Sequence, residues 1–299
     1  MALSLQNIKN WCEKNHREFW EYMLEDDMRE REVDKKESIK QMEQVFDVMC
    51  ETVETYRMER LSHSGLVGAE GGRLEGYRKK TKKALQTEHK KPALCGPFMG
   101  EAQVIALKMA ESNACMRRIA AAPTAGACGV VPAVLIPYYR LGMASKKQIV
   151  QALYVAGAIG QVIAEQASIS GAKGGCQAEI GSASAMAAGA LTYLQGGDID
   201  MICHSAAMAI KGLLGLVCDP VAGLVEVPCV KRNVIGTVNA ISCADLAMAG
   251  IQSVIPPDEV IQAMSEVGDR MDVSLRETAL GGLANTETAQ KITSKLGLE

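Results

Sequence analysis

The apolar half of this chain is built almost without aromatic side chains, and that limits what it can fold into. Hydrophobic residues make up 48% of the 299 positions, yet Phe, Trp and Tyr together make up 4%. Ala, Gly, Met and small β-branched residues must fill the interior instead. Side chains that small let helix axes approach closely. Runs such as IVQALYVAGAIGQVIAEQ and Cys176–Leu194 have the length of helices rather than strands. No regular alternation of strands appears, and the paired glycines do not form GxGxxG after a strand. The sequence therefore predicts an all-α fold, a compact helical domain with small-residue packing.

Charge is distributed unevenly over that framework. Residues 1–91 carry 18 of the 32 Lys+Arg and 18 of the 35 Asp+Glu, so the first third reads as a solvated, charged helical layer and the rest as core. Amphipathic helices are expected over 5–24 and 28–61. In the second, Ile39, Met42, Phe46, Met49 and Val53 recur at alternating threes and fours along one face. Residues 62–76 read as a Gly-rich loop and the basic tract at 78–83 as a solvated segment. Farther on, Ser145 is placed to cap a helix, Gly196–Gly197 to close the one over 176–194, and helices follow over 201–217 and 231–251. Pro256–Pro257 with Asp258–Glu259 opens a last one.

Several function classes fall away. A net charge of −3 gives no general case for a nucleic acid or a membrane surface, and one short basic run is too little for nucleic-acid binding. The polar start MALSLQNIKNWCEKNHREFW does not look like a secretory signal. Ten cysteines in such a chain are expected as thiols, either metal-bound or buried, in the cytoplasm. No CxxC pair suggests a zinc finger. The 21 uncharged residues between Arg118 and Arg140 could span a bilayer on length alone. Pro123, Pro132, Pro137, Gly126 and Gly129 would break such a helix repeatedly, so a buried loop and helix are expected there.

Three cysteines stand where the chain turns. Cys176 follows Gly174–Gly175 and Cys229 follows Pro228, each at the expected start of a helix, whose free amides and positive end favour a thiolate. Cys218 precedes Asp219–Pro220, and the ten residues between it and Cys229 suffice to bring both sulfurs to one place. Three such thiolates can hold an iron–sulfur cluster with one iron free of protein ligand, a Lewis acid able to draw off a hydroxyl. They could equally be small buried hydrophobes, and their spacing alone does not decide.

The segments SNACM (112–116), AAPTAGACGVVPAVL (121–135), GAKGGCQAEIGSASAMAA (171–188) and LGLVCDPVAGLVEVPCVKRN (214–233) resemble the α chain of iron–sulfur-dependent L-serine dehydratase, over roughly 62–285. The resemblance implies a helical iron–sulfur catalytic domain over 62–299, preceded by a charged extension over 1–61. It implies a [4Fe–4S] cluster on Cys176, Cys218 and Cys229, whose open iron activates the hydroxyl of L-serine. A base removes the α-proton, and loss of water gives aminoacrylate, then pyruvate and ammonia, in an amino-acid degradation that needs no pyridoxal phosphate.

Further roles follow from matched positions. His204 falls where relatives carry His and is the candidate catalytic residue, although four helical turns separate it from Cys218; a core histidine is its plainer role. His63 occupies a variable position between the matching Ser62, Ser64 and Gly65, and His16 and His89 lie in charged segments. Ser64, Asn113, Thr124 and Lys173 are the candidate substrate-binding residues, with Gly126, Lys231, Arg232 and Asn233 also in matched motifs. Each has a plainer alternative, such as a turn hydroxyl or a solvated helical turn. Cys115 and Cys128 read as core thiols. The family's Ser-Ser-His-Thr-type segment, which carries a catalytic histidine in the β portion, is absent, so a separate β chain is implied; a stand-alone enzyme using His63 or His204 is the alternative. An oligomer is expected. Arg117, where relatives have Gly, could narrow the pocket or touch the β chain, and the ending SKLGLE offers no cysteine as a fourth ligand. The competing functions are an L-cysteine desulfidase-type lyase and a non-catalytic helical subunit.

Overall fold

A computed structural model describes residues 3–84 and 93–298; His89 and its neighbours lie outside the described residues. Among the described residues there are thirteen α-helices and no strand, as the all-α expectation requires.

The N-terminal layer is more segmented than its periodicity suggests. Helix α1 (Leu5–Asn15) stops at His16, whose left-handed backbone turns its N–H back onto the Cys12 and Glu13 carbonyls. Helix α2 (Phe19–Glu30) restarts at once, with the Glu21 carboxylate accepting the Glu18 N–H at 3.0 Å. A single helix over 5–24 is therefore two. Helix α3 (Lys35–Glu54) begins where Asp34 accepts the Glu37 N–H and is shorter than the expected 28–61. Its apolar face is as expected: Phe46, Met49 and Val53 are buried, with Ile39 and Met42 packed beside them.

The expected glycine loop over 62–76 ends early. Helix α4 (Glu70–Ala84) starts inside it because α5 (Pro97–Ala114) supplies a cap. The buried Glu111 carboxylate accepts the N–H groups of Glu70 at 2.7 Å and Gly71 at 3.1 Å, placing an anion at the positive end of α4. The whole basic tract at 78–83 therefore lies on a helix.

The main body follows. Helix α6 (Val130–Arg140) holds the second half of the uncharged stretch, after a non-helical 119–129, and its Val130–Ile136 are buried. No helix of the described residues is long and apolar enough to cross a membrane. Helix α7 (Lys146–Gln166) is capped by Ser145, as its sequence predicts, and Gln148 completes a capping box. A short α8 (Gly171–Gly174) leads through Cys176 into a π-helical turn (Gln177–Gly181) and then α9 (Ser182–Leu194). Helix α10 (Ile199–Lys211) ends six residues before the expected 217, in a turn closed at Gly215. Helices α11 (Cys229–Met248), α12 (Pro257–Arg270) and α13 (Glu287–Leu296) complete the chain. Helix α12 opens with Pro257, Asp258 and Glu259 as predicted.

Helix α9 is the axis of the molecule. It packs against α6, α7, α10 and α11, and Ser182–Thr192 are all buried. A Cβ on Gly189 would lie 2.2 Å from Ile159 Cδ1, so α7 and α9 approach as closely as a side chain of hydrogen allows. The N-terminal helices lay Leu5, Ile8, Phe19, Trp20 and Phe46 into the same apolar cluster.

Candidate active site

Three loops at one end of α9 and α11 bring the cysteines into position. Gly175 has φ +74°, in the region that favours glycine, and a Cβ there would meet Met271 Sδ at 2.6 Å. It aims Cys176 into the start of the π-helical turn, a local irregularity often found at functional sites. The next residue, buried Gln177, ties this turn to the segment that delivers Cys218. Its N–H donates to Leu216 O at 2.9 Å, its side-chain oxygen accepts the Gly215 N–H at 2.9 Å, and its Nε2 donates to Met264 O at 2.9 Å. Cys218 lies in an extended strand-like segment clamped by the chain after α12: its N–H donates to Leu275 O at 2.8 Å, and Glu277 N–H donates to Cys218 O at 2.7 Å. Cys229 is the first residue of α11. All three thiols are free and buried.

Arg232, one turn along α11 from Cys229, reaches the residues on either side of Cys218. It donates to Val217 O at 2.7 Å and to Asp219 Oδ1 at 2.8 Å. The second oxygen of Asp219 accepts the Leu283 N–H at 2.8 Å. The neighbouring Cys218 thiol and the Arg232 charge hold the Cys176 thiol below its ordinary range, against burial. Cys218 is pushed up, by Cys176 and then by burial. Burial pushes Cys229 up to about 12. The helix N-terminus expected to favour a thiolate at Cys229 is thus outweighed by desolvation. At Cys176 the thiolate is favoured by neighbouring groups rather than by a helix end.

Sequence reasoning missed Glu179. Its carboxylate accepts the Thr124 hydroxyl at 2.7 Å, and burial, then the Glu277 charge, raise its pKa, with the Thr124 bond opposing. A Cβ on Gly171 would meet Glu179 Oε2 at 2.9 Å, Cys218 Sγ at 3.1 Å and Glu277 Oε2 at 3.1 Å, so these three groups converge on one point. One signal was available: Glu179 is the only charged residue between Lys173 and Asp198.

The other predicted residues are spread more widely. Ser64 and Ser62 both donate to the buried Glu226 carboxylate, Ser62 at 2.8 Å, which fastens the 62–68 turn to the loop between Cys218 and Cys229. His63 in the same turn is exposed. Asn113 is half-buried on the last turn of α5. Lys173 is exposed and reaches back to Ala167 O at 3.4 Å. His204 accepts the Ser253 N–H on Nδ1 at 3.3 Å, which engages its ring with the loop after α11; no contact joins it to the thiols. Lys231 is exposed and pairs with Glu70 at 2.6 Å. Asn233 is fully buried and bonds Cys229 O and the 126–129 turn. Arg117 folds back onto Thr55 at the end of α3. Cys128 is buried and Cys115 half-buried, away from the cysteine trio's bonds.

Among the described residues, no group of three His, Cys, Asp or Glu is arranged to hold a metal ion. Cys176, Cys218 and Cys229 are soft sulfur donors, the kind that suits an iron–sulfur group rather than an oxygen-ligated ion.

Residues 14–284 match the family described as serine dehydratase alpha chain. The chain is 43% identical over 274 residues to the probable L-serine dehydratase, alpha chain, of Bacillus subtilis (strain 168), covering 92% of this chain and 88% of that one. It is 39% identical over 292 residues to the L-serine dehydratase, alpha chain, of Peptoniphilus asaccharolyticus, covering 98% and 97%. It is also similar to part of L-serine dehydratase TdcG of Escherichia coli (strain K12), at 45% identity over 181 residues, 60% of this chain and 40% of that protein.

Proposed function

The chain belongs to the serine dehydratase alpha chain family, and from that premise we propose that it is the α subunit of an L-serine ammonia-lyase that forms pyruvate and ammonia. The observation that carries the proposal is that Cys176, Cys218 and Cys229 are free and buried, with Gln177 bonding the Cys176 turn to Gly215 and Leu216 and with Arg232, one turn after Cys229, bonding Val217 and Asp219 on either side of Cys218. These three cysteines would hold a [4Fe–4S] cluster, which when bound supplies a Lewis-acidic iron for the substrate hydroxyl.

The chain's own residues do the rest of what its geometry supports. Burial of the sulfurs excludes water and slows oxidation. Glu179, with its pKa raised, keeps a proton at the site to higher pH than an ordinary carboxyl, and Thr124 fixes its orientation. Ser64, Asn113, Thr124 and Lys173 stay candidates for the substrate, with Thr124 the best placed of them because it bonds Glu179 beside the sulfurs. We place the base that removes the α-proton on a separate β chain. Two relatives are named alpha chains, and His204 is engaged elsewhere by the Ser253 N–H. Free thiols throughout suit a reducing cytoplasm.

The test is anaerobic reconstitution with iron and sulfide, with and without a candidate β chain, scored by pyruvate release. About four irons per chain are expected, with pyruvate formed from L-serine in preference to L-cysteine and only with the β chain. No iron after reconstitution overturns the proposal. Pyruvate without the β chain moves the base onto this polypeptide.

A further inference from the structure

A cavity of about 730 Å³ lies between the second half of α4 and the first half of α5, with the end of α6 also lining it. None of the cysteine-site residues takes part in it. Its size is that of a small-molecule site. The buried part of its lining is apolar, made by Val53, Val104 and Ile105. The rest carries an excess of one charge. Arg78, Lys79, Lys82, Lys108 and Arg140 face only two acids, Glu75 and Glu101, a surplus of three positive charges in a chain whose net charge is −3. Glu75 is shared by Lys79 and Lys108, at 2.9 Å from each. Arg140 meets Glu101 only at 3.9 Å, and Glu54, outside the lining, at 3.6 Å. Lys82 pairs with no acid among the described residues. One wall is fixed in advance: Arg78 donates to the carbonyls of Cys95 and Gly96 at 3.3 Å and of Pro97 at 3.4 Å, and its guanidinium fills the place of a Cβ on Gly100. Helix α5 starts at that wall with no side chain capping its first N–H groups, a further source of positive potential.

We propose that this cavity is a second binding site of the chain, which takes a small organic anion: a carboxylate with an aliphatic body. Val53, Val104 and Ile105 receive the body. The carboxylate sits toward Lys82 and Arg140, the two cations with the least acid of their own. Like charges gathered on the walls of a cleft repel one another and focus their field on the space between them, and an anion placed there relieves the repulsion. Arg140 offers a planar fork that matches a carboxylate bidentately, and Lys82 adds a point charge. The apolar lining separates such a ligand from a bare inorganic anion, which has no surface to bury against it. The inference does not depend on the cluster or on the lyase reaction.

Titration calorimetry of the whole chain at low salt tests it, with hexanoate, its uncharged counterpart hexanamide and inorganic phosphate as probes. Hexanoate should bind, the other two about 10-fold or more weakly, and added salt should weaken hexanoate. The double variant Lys82→Gln, Arg140→Gln should raise the hexanoate Kd about 10-fold or more, as expected for losing hydrogen bonds to a charged group. Lys146→Gln removes an exposed cation that pairs with Asp47 outside the cavity and should leave the Kd unchanged. Melting temperatures check that each variant folds. If the double variant does not, Lys82→Gln alone decides, because that side chain holds no ion pair of the described fold. No binding of hexanoate, equal binding of hexanamide, or an unchanged Kd in the deciding variant overturns the inference. Phosphate bound more tightly than hexanoate overturns it too, in favour of a bare-anion site. Iron uptake and pyruvate release decide the proposed function separately.

Discussion

The side-chain oxygen of Asn233 accepts the backbone N–H of Gly129 at 2.8 Å, joining residues 104 apart in sequence. Its nitrogen donates to Gly126 O at 2.8 Å and to Cys229 O at 3.0 Å. One fully buried amide thus locks the turn after Thr124 onto the helix that begins with Cys229 and carries Arg232.

Removing that amide should be costly. Asn233→Ala leaves the buried Gly129 N–H and the Gly126 carbonyl without the bonds that Asn233 supplies, at about 1–3 kcal/mol per unsatisfied group. Asn233→Asp should cost more, because it keeps the acceptor but sets a buried carboxylate against two carbonyl oxygens. Urea unfolding checks both: the midpoint should fall with an unchanged slope.

The cysteine trio makes a second prediction. Cys176→Ser, Cys218→Ser and Cys229→Ser should each reduce reconstituted iron well below the wild-type value of about four per chain. Cys128→Ser and Cys243→Ser should retain it, since both thiols lie elsewhere in the core and are raised by burial alone to about 12 and, with slight relief from Lys211, about 11. Iron analysis of the five variants purified without air separates the two groups. Equal iron in all five would show that the trio is only packing.

Much of this was legible in the sequence, where the signal is local. The Ser145 cap, the Pro257 start of α12 and the apolar face of α3 depend on neighbours within a turn, and all appear as read. Helix α4 was not legible, because its cap, Glu111, is 41 residues away. The pair Lys231–Arg232 could be read only as a solvated turn with one member in doubt. Adjacent helical residues point to different faces, and only the fold shows that Lys231 meets Glu70 while Arg232 meets Asp219. The thiolate reading of Cys229 failed for a similar reason: a helix start is visible in sequence, but the depth at which it is buried is not.

Tyr56 should give stability a dependence on alkaline pH. Its hydroxyl donates to Glu111 Oε2 at 2.6 Å, and burial, followed by that bond and the Glu111 charge, raises its pKa. Below the unfolded tyrosine value of about 10, Tyr56→Phe should therefore lose about 1.5–3 kcal/mol, the worth of a bond to a charged group. A raised folded pKa means that the folded chain holds its proton longer than the unfolded one. Ionisation of the unfolded chain then draws the wild type down as pH rises through and above 10, and the gap to Tyr56→Phe should narrow. Denaturation curves of both proteins at pH 8 and at successive alkaline values test the sign. A gap that stays constant or widens would contradict it.

The close contact of α7 with α9 yields the last prediction. Gly189→Ala brings two opposing effects. Alanine in a helix interior is favoured over glycine by about 1 kcal/mol. Its Cβ would also meet Ile159 Cδ1 at 2.2 Å, and overpacking of this kind costs about 1–3 kcal/mol. The single variant should therefore be destabilised. Ile159→Val removes the offending Cδ1 and alone costs about 0.5–1.5 kcal/mol. In the double variant the new methyl occupies the space that the old one left, since the next nearest neighbour, Ile202 Cγ2, lies at an ordinary 3.5 Å. The pair should then be more stable than the sum of the single changes predicts, and a double-mutant cycle measures that coupling. Simple additivity would mean that α7 and α9 can separate freely, and that small residues are not what sets their distance.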